Sequence, residues 1–388
     1  MDKEKLTVIH SVLRWLPQTE AWLYDQVRSL PPEIESHIVC ESTSNLDQFP
    51  MPNIHSLLDA SRWRSFWDSA LRKLGMRNHL GLLVAQARRQ HARVLHSHFG
   101  HVGWANLKAA KRAGLRHVIT FYGFDVNYLT QLDSRWHDRY RSLFEQVDRV
   151  LCEGPNMRLS LVALGCPQEK VQLHHLGVMT DEIPFRPRTW SSSEPLRVLI
   201  AASFQEKKGI PYALEALAKL QHEVPLVITV VGDANSEQRS QAEKLKILST
   251  ISKHNLVPKI RMLGYQSHRA LLEEAYKHHI FLSPSVTASD GDSEGGAPVT
   301  IIEMAATGMP VVSTAHCDIP EVIHHGSTGL LAEERDVQGL VSHLKWLMDH
   351  PDHWLSMLKA ARRHLEAEYD APKQGKRLEE IYWEIAAS

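Results

Sequence analysis

The sequence has no apolar run of about 18 residues, the length a membrane-crossing helix needs, so no span is expected. Its four cysteines, Cys40, Cys152, Cys166 and Cys317, are scattered and form no C-x-x-C pair, which excludes the usual zinc and disulfide frameworks. Charge of neither sign is in excess. Lys and Arg number 44 against 45 Asp and Glu, for a net charge of −1, so the chain lacks the basic balance of a nucleic-acid binder. No G-x-G-x-x-G follows a strand, which argues against a nicotinamide-dependent oxidoreductase. Repeats and low-complexity segments are absent. Histidine is frequent, at 24, yet without chelating spacings. The adjacent pairs His174-His175 and His324-His325 point to different sides, and no metal is expected. The start, MDKEKLTVIHSVLRW, is charged and holds no apolar segment before a cleavage site, so no signal peptide is expected. A reducing, cytoplasmic setting is the resulting expectation.

What is present is an ordinary globular composition, 43% hydrophobic and 23% charged, over 388 residues, enough for two domains. Strand-like runs alternate with helical periods in both halves, which predicts two doubly wound α/β domains. In the first half the strands are expected at Leu6 to His10, His37 to Cys40, Val94 to His98, His117 to Phe121, Val150 to Glu153 and Val171 to Leu176. Residues 181–195 hold three prolines and a serine run, with neither a helical nor a strand period, and read as a linker between residues 1–180 and 196–369. Strands resume at Leu196 to Ala202 and Leu226 to Gly232, and the chain ends in an amphipathic segment, Gln374 to Ala387.

Two stretches carry more chemistry. From Arg62 to Arg93, eight basic residues stand against the single acid Asp68, with Trp63, Phe66, Trp67, Leu71 and Leu74 interleaved at helical spacing. Such a helix can lie on an anionic membrane, each basic residue contributing about 1 kcal/mol. The alternative is that the aromatics face the core and the arginines are solvated. The second stretch, Phe281 to Thr314, reads as strand, glycine-rich loop, helix, strand. Pro298 stands where a helix starts, Gly308 suits the left-handed position past its end, and Pro310 stops it. Unpaired amides at such a helix start can hold an anion. Glu294 and Glu303 flank that place and can accept hydrogen bonds from hydroxyls. A phosphate group between two sugars fits this arrangement, although Gly295-Gly296 as a plain tight turn fits it too.

The segment SEGGAPVTIIEMAATGMPVV resembles the signature of retaining glycosyltransferases of family 4, which have the GT-B architecture. That pattern has seven residues between its two glutamates. Here there are eight between Glu294 and Glu303. Either a bulge at Gly295-Gly296 absorbs the extra residue or Glu294 is displaced from the sugar, whereas Glu303 is in register with the family's downstream Gly-x-Pro-Val-Val. The resemblance extends to three other places. SFQEKKG stands where the family has Gly-Arg-x-x-x-x-Lys-Gly: Lys208 matches the lysine, but Ser203 replaces the arginine, leaving Lys207 or a basic residue elsewhere to compensate. Tyr122-Gly123-Phe124-Asp125 stands where the family has His-Gly-x-Asp, so Tyr122 replaces a histidine and Asp125 matches. The PQTE loop matches a polysaccharide-making subset.

This resemblance implies two Rossmann-like domains facing across a cleft, with the C-terminal helix (residues 370–388) crossing back to the first. It implies transfer of a hexose with retention from a UDP- or GDP-linked sugar, without metal or cofactor, to a saccharide or lipid-linked acceptor, in exopolysaccharide or cell-surface glycan synthesis. The implied donor residues are Ser203, Lys208, Gly232, Asp233, Glu294, Gly295, Gly296, Ala297, Pro298, Val299 and Glu303. Tyr122, Asp125, Lys208 and Glu294 are implied at the reacting centre, and Thr19, Glu20 and His98 on the acceptor side. Peripheral contact with the inner face of the cytoplasmic membrane is expected through residues 62–93. The alternatives are an inactive nucleotide-sugar-binding partner protein of the same shape and an NAD-dependent oxidoreductase.

Overall fold

The computed structural model describes residues 5–17, 20–58 and 79–388. Thr19 and most of the basic stretch, residues 62–78, lie outside the described residues. The chain forms two units: residues 1–177 with 371–388, and residues 178–370.

The first unit is built on seven parallel strands: β1 (Leu6–Ser11), β2 (Ile34–Cys40), β3 (Ile54–Ser56), β4 (Val94–His98), β5 (Arg116–Thr120), β6 (Arg149–Cys152) and β7 (Val171–Leu173). They lie in the order β3-β2-β1-β4-β5-β6-β7. The central strands are buried on both faces, which is why β1 and β4 are buried at every position despite their polar residues. Register fixes which residues share a face. His10 of β1 lies beside His96 of β4, and His98 lies beside Thr120 of β5. Because side chains alternate, His96 and His98 point the same way. The C-terminal helix, Ala371–Ala387, covers that face with Leu378, Ile381, Tyr382 and Ile385, packing on Leu6, Val8, Val94 and Val118. Its Gly375 passes the main chain so closely that an added Cβ would sit 2.1 Å from the Ser29 carbonyl oxygen. The expected return of the C-terminal helix to the first unit is therefore observed.

On the other face, the helix His79–Arg89 buries Leu83, Val84 and Ala87 against Ile9, Val39 and Leu95, and leaves Arg88 and Arg89 exposed. The described end of the basic stretch thus turns its apolar side to the core.

The second unit has six parallel strands: β8 (Leu196–Ala201), β9 (Leu226–Val231), β10 (Ile260–Met262), β11 (Ile280–Ser283), β12 (Val311–Thr314) and β13 (Leu330–Ala332). Their order is β10-β9-β8-β11-β12-β13, with helices on both faces. Residues 181–195 are not a free linker. Arg188 is buried, donating from Nε to the His278 carbonyl at 3.0 Å and from Nη1 to the Thr307 carbonyl at 3.0 Å, and the Arg186 amide donates to the same Thr307 oxygen at 2.9 Å. One guanidinium therefore straps an otherwise irregular segment onto the second unit, an effect that hydrophobic periodicity does not reveal.

Candidate active site

In open parallel sheets, ligands bind beyond the carboxyl ends of the strands. In the second unit that edge carries the loops after β8, β9, β11, β12 and β13, and most of the residues singled out from sequence lie on them. Lys208 ends a short 3-10 turn, Glu206–Lys208, after β8. Gly209 follows at φ +62°, and a Cβ there would lie 1.8 Å from the Pro284 carbonyl oxygen. This contact presses the Lys208 turn against the loop after β11, and Lys208 Nζ meets Glu294 Oε2 at 2.7 Å. The other Glu294 oxygen accepts from the Ser285 hydroxyl, also at 2.7 Å. Burial pushes the Glu294 carboxyl up, but Lys208 and Lys207 outweigh it and hold the group below its usual value, so it is ionised. A carboxylate oxygen has two lone pairs, so each oxygen retains one for a hydroxyl.

Lys207 does not stand in for the missing arginine. Its ammonium binds Asp292 at 2.9 Å and the Ser293 carbonyl at 3.1 Å, and Arg239 binds Asp292 at 3.0 Å. These charges brace the glycine-rich loop along one wall of a cavity of about 350 Å³.

The helix after the loop runs from Val299 to Ala306, with Pro298 capping it. Gly295 and Gly308 both have positive φ, +78° and +83°. Gly295, directly after Glu294, takes the left-handed conformation, and Glu294 contacts Lys208. Glu303, on the helix's second turn, is buried and pairs with His268 at 2.6 Å. Gly232 lies at φ +122° where a Cβ would strike the Ala202 carbonyl, so the ends of β8 and β9 touch. The Asp233 carboxylate turns to Lys244, 2.7 Å away, which keeps its pKa low. The Ser203 carbonyl accepts the Gln205 amide at 2.9 Å. Ala297 and Val299 are partly buried beside Pro298.

The first unit brings together Tyr122, Asp125, His98 and Glu20. Asp125 is fully buried and accepts the amides of Tyr122, at 2.7 Å, and of Gly100 at the start of the helix Gly100–Ala113. It closes the turn after β5 onto that helix. We expect Asp125→Asn to lower stability by about 1–3 kcal/mol in urea denaturation, because an amide turns an NH₂ toward one of two backbone donors. The Tyr122 ring packs on Trp22 and Phe99, with centroids 4.5 and 4.6 Å away. Its hydroxyl is 2.9 Å from His98 Nδ1, and His98 Nε2 is 3.2 Å from His10 Nδ1. His98 is fully buried, so it acts on any ligand through Tyr122. Burial pushes Glu20 up to about 7, against the pull of Arg14.

His10, His96 and His98 offer ligand atoms within 4.8 Å of one another, the spacing of a metal site. As arranged, both ring nitrogens of His96 are engaged, with the Tyr382 hydroxyl at 2.6 Å and Thr120 at 2.7 Å, while His10 and His98 pair with each other and His10 Nε2 is buried without a hydrogen-bond partner. Burial lowers all three imidazoles, which are neutral. Sequence reading missed His10, His96 and Tyr382 here, and Ser285, His268, His316 and Glu334 in the second unit. The period-2 spacing of His96 and His98 was a usable signal, whereas the other residues are brought in by strand order and loop packing.

Comparison with known proteins follows the same division. Residues 183–364 match the family model of group 1 glycosyl transferases, and residues 19–182 match that of glycosyltransferase family 4. The amylovoran biosynthesis glycosyltransferase AmsK of Erwinia amylovora is 32% identical over 292 residues, 74% of this chain and 69% of the relative. A putative colanic acid biosynthesis glycosyltransferase, WcaL of Escherichia coli, is 31% identical over 72% of this chain and 67% of the relative. Among solved structures, a Rickettsia africae glycosyltransferase superposes with a TM-score of 0.76 at 17% identity, covering 99% of both chains. Anabaena HepE, in complex with UDP-glucose, does so with a TM-score of 0.77 at 15% identity, covering 97% of this chain and 99% of HepE.

Proposed function

The chain belongs to the group 1 glycosyltransferases and has their GT-B fold, and on that premise we propose that it moves a hexose, with retention and without a metal, from a nucleoside-diphosphate sugar to a saccharide or lipid-linked acceptor in exopolysaccharide assembly. The observation that carries this reading is the Lys208–Glu294 pair of 2.7 Å, set beside the start of the Val299–Ala306 helix. A cation and outward amides suit a diphosphate, and an ionised carboxylate beside them suits sugar hydroxyls.

In this assignment Lys208 and the backbone N–H groups of Gly295, Gly296, Ala297 and Val299 hold the diphosphate and the charge that develops on it as the sugar leaves. Glu294 holds hexose hydroxyls, and Glu303, steadied by His268, holds the ribose. Gly232 lets the ends of β8 and β9 approach beside the nucleotide, and the backbones of Ser203 and Asp233 line the same edge. A front-face retaining mechanism needs no protein nucleophile. From their positions in the family pattern, Tyr122 is assigned to the reacting sugar, with Asp125, fully buried, holding the Tyr122 turn in place behind it, and Thr19, Glu20 and His98 are assigned to the acceptor side. No described helix is long and apolar enough to cross a membrane. Work at the inner face of the cytoplasmic membrane would use residues 62–93.

The test is a thermal-shift panel with UDP, GDP, ADP, TDP and NAD, without added metal. One nucleoside diphosphate at about 100 times its Kd should add roughly 2.7 kcal/mol of stability, enough to see. A response to NAD alone would overturn the reading. Release of nucleoside diphosphate from the matching sugar donor then separates an active enzyme from a binding-only partner.

A further inference from the structure

Glu294 is held from behind as well as by Lys208. Its backbone amide donates to His316 Nε2 at 3.2 Å, so the His316 proton sits on Nδ1, which meets Glu334 Oε1 at 2.6 Å. The His316 side chain is 1% exposed and cannot reach a ligand directly. Glu334 also accepts the Thr287 amide at 2.8 Å and the Thr287 hydroxyl at 3.2 Å, and its neighbour Arg335 donates to the Thr287 carbonyl. Burial pushes the Glu334 carboxyl up, but the Thr287 amide and His316 together hold it below its usual value, so it is a carboxylate. The loops after β11, β12 and β13 therefore meet at a single carboxylate–imidazole pair.

Two backbone conformations mark how tightly this junction is specified. Cys317, next to His316, and Arg335, next to Glu334, both have positive φ, +48° and +64°. Non-glycine residues keep such angles only where their surroundings over-determine them. The strain sits on both arms of the junction, and the group it presents to the site is Glu294.

Resting on the assignment of Glu294 to the donor sugar, we propose that Glu334 and His316 are positioning residues for that sugar. Glu334 fixes the tautomer and orientation of His316, His316 fixes the Glu294 amide, and the carboxylate is thereby presented to the hexose at a set height above Lys208. The ribose end of the donor does not depend on this chain of contacts, because Glu303 and His268 lie on separate elements, whereas the amides after Glu294 that face the diphosphate share the loop.

Amide hydrogen exchange over residues 288–298 should be compared in wild type, Glu334→Ala, Glu334→Gln and His316→Phe, with Kd for the nucleoside diphosphate identified by thermal shift and KM and kcat with its glucose conjugate. His316→Phe and Glu334→Ala should exchange the Glu294 amide faster. They should raise the nucleoside-diphosphate Kd only a few-fold, through the amides next to Glu294, and lower kcat/KM for the sugar conjugate by about 10- to 100-fold, the scale of a misplaced positioning group. Glu334→Gln, which keeps an acceptor of the same shape, should fall between these variants and wild type, and it serves as the readable variant if Glu334→Ala does not fold. Unchanged exchange at Glu294, or equal losses of affinity for nucleotide and nucleotide sugar, would overturn the proposal. Failure of the wild type to bind any nucleoside diphosphate would overturn the donor assignment instead, and the exchange arm would then decide by itself whether the junction orders the loop.

Discussion

Lys208→Ala should lower kcat by about 10²- to 10³-fold, the usual cost of removing one fixed partner of a charge that develops in the transition state. Among the described residues, Lys207 and Arg239 do not take its place, because both are committed to Asp292. The same change should alter how stability depends on pH. In wild type the Glu294 carboxyl lies below its ordinary 4.5: burial raises it, but Lys208 and Lys207 lower it more. A depressed carboxyl contributes stability above its unfolded pKa and loses it as pH falls through the folded value. Without Lys208, burial is opposed mainly by Lys207, the pKa rises, and the gain in stability from pH 4 to pH 7 should shrink. Adding Glu294→Gln should restore much of the loss at pH 7, since the uncompensated charge is gone. Urea denaturation at the two pH values checks this. An unchanged kcat would remove Lys208 from the site.

The largest loss of stability is expected from Gly209→Ala, about 4 kcal/mol or more. Adopting φ +62° costs an alanine roughly 1 kcal/mol. The remainder comes from the Pro284 carbonyl oxygen, which would lie 1.8 Å from the new Cβ and belongs to a backbone that cannot simply rotate away. The loops after β8 and β11 would have to separate, and with them Lys208 and Glu294. A loss of stability below about 1 kcal/mol in urea denaturation would mean that the two loops are not pressed together. Any variant protein that remains folded should show weakened nucleoside-diphosphate binding, which links the two predictions.

The doubly wound architecture was legible from the alternation of buried runs and helical periods, and the stops at Pro298, Gly308 and Pro310 placed the helix that bears Glu303. These are local effects: backbone sterics and periodic burial act within a few residues, so a linear sequence records them. Resemblance to the family added Lys208 and the tyrosine–aspartate turn at Tyr122 and Asp125, again as short motifs. Contacts between distant segments were not legible. Arg188 looked like part of a proline-rich linker, yet its guanidinium is buried among carbonyls supplied by residues up to 119 positions away. Lys207 and Lys208 are neighbours of one charge, and only loop packing sends one to brace Asp292 and the other to Glu294.

By itself, the sequence determined the class of fold, the location of the glycine-rich loop and the charged residues available near it, because these follow from local conformational preference and residue chemistry. Tertiary structure decided which of those charges are spent on holding the loop. It put His10, His96 and His98 on one face through the register of β1 and β4, and it brought Glu334 and His316 behind Glu294 through the order of β11, β12 and β13. Strand order in a parallel sheet is set by crossover connections and burial over the whole unit, and so the partners of a side chain at the strand ends come from wherever the neighbouring loops lie in sequence.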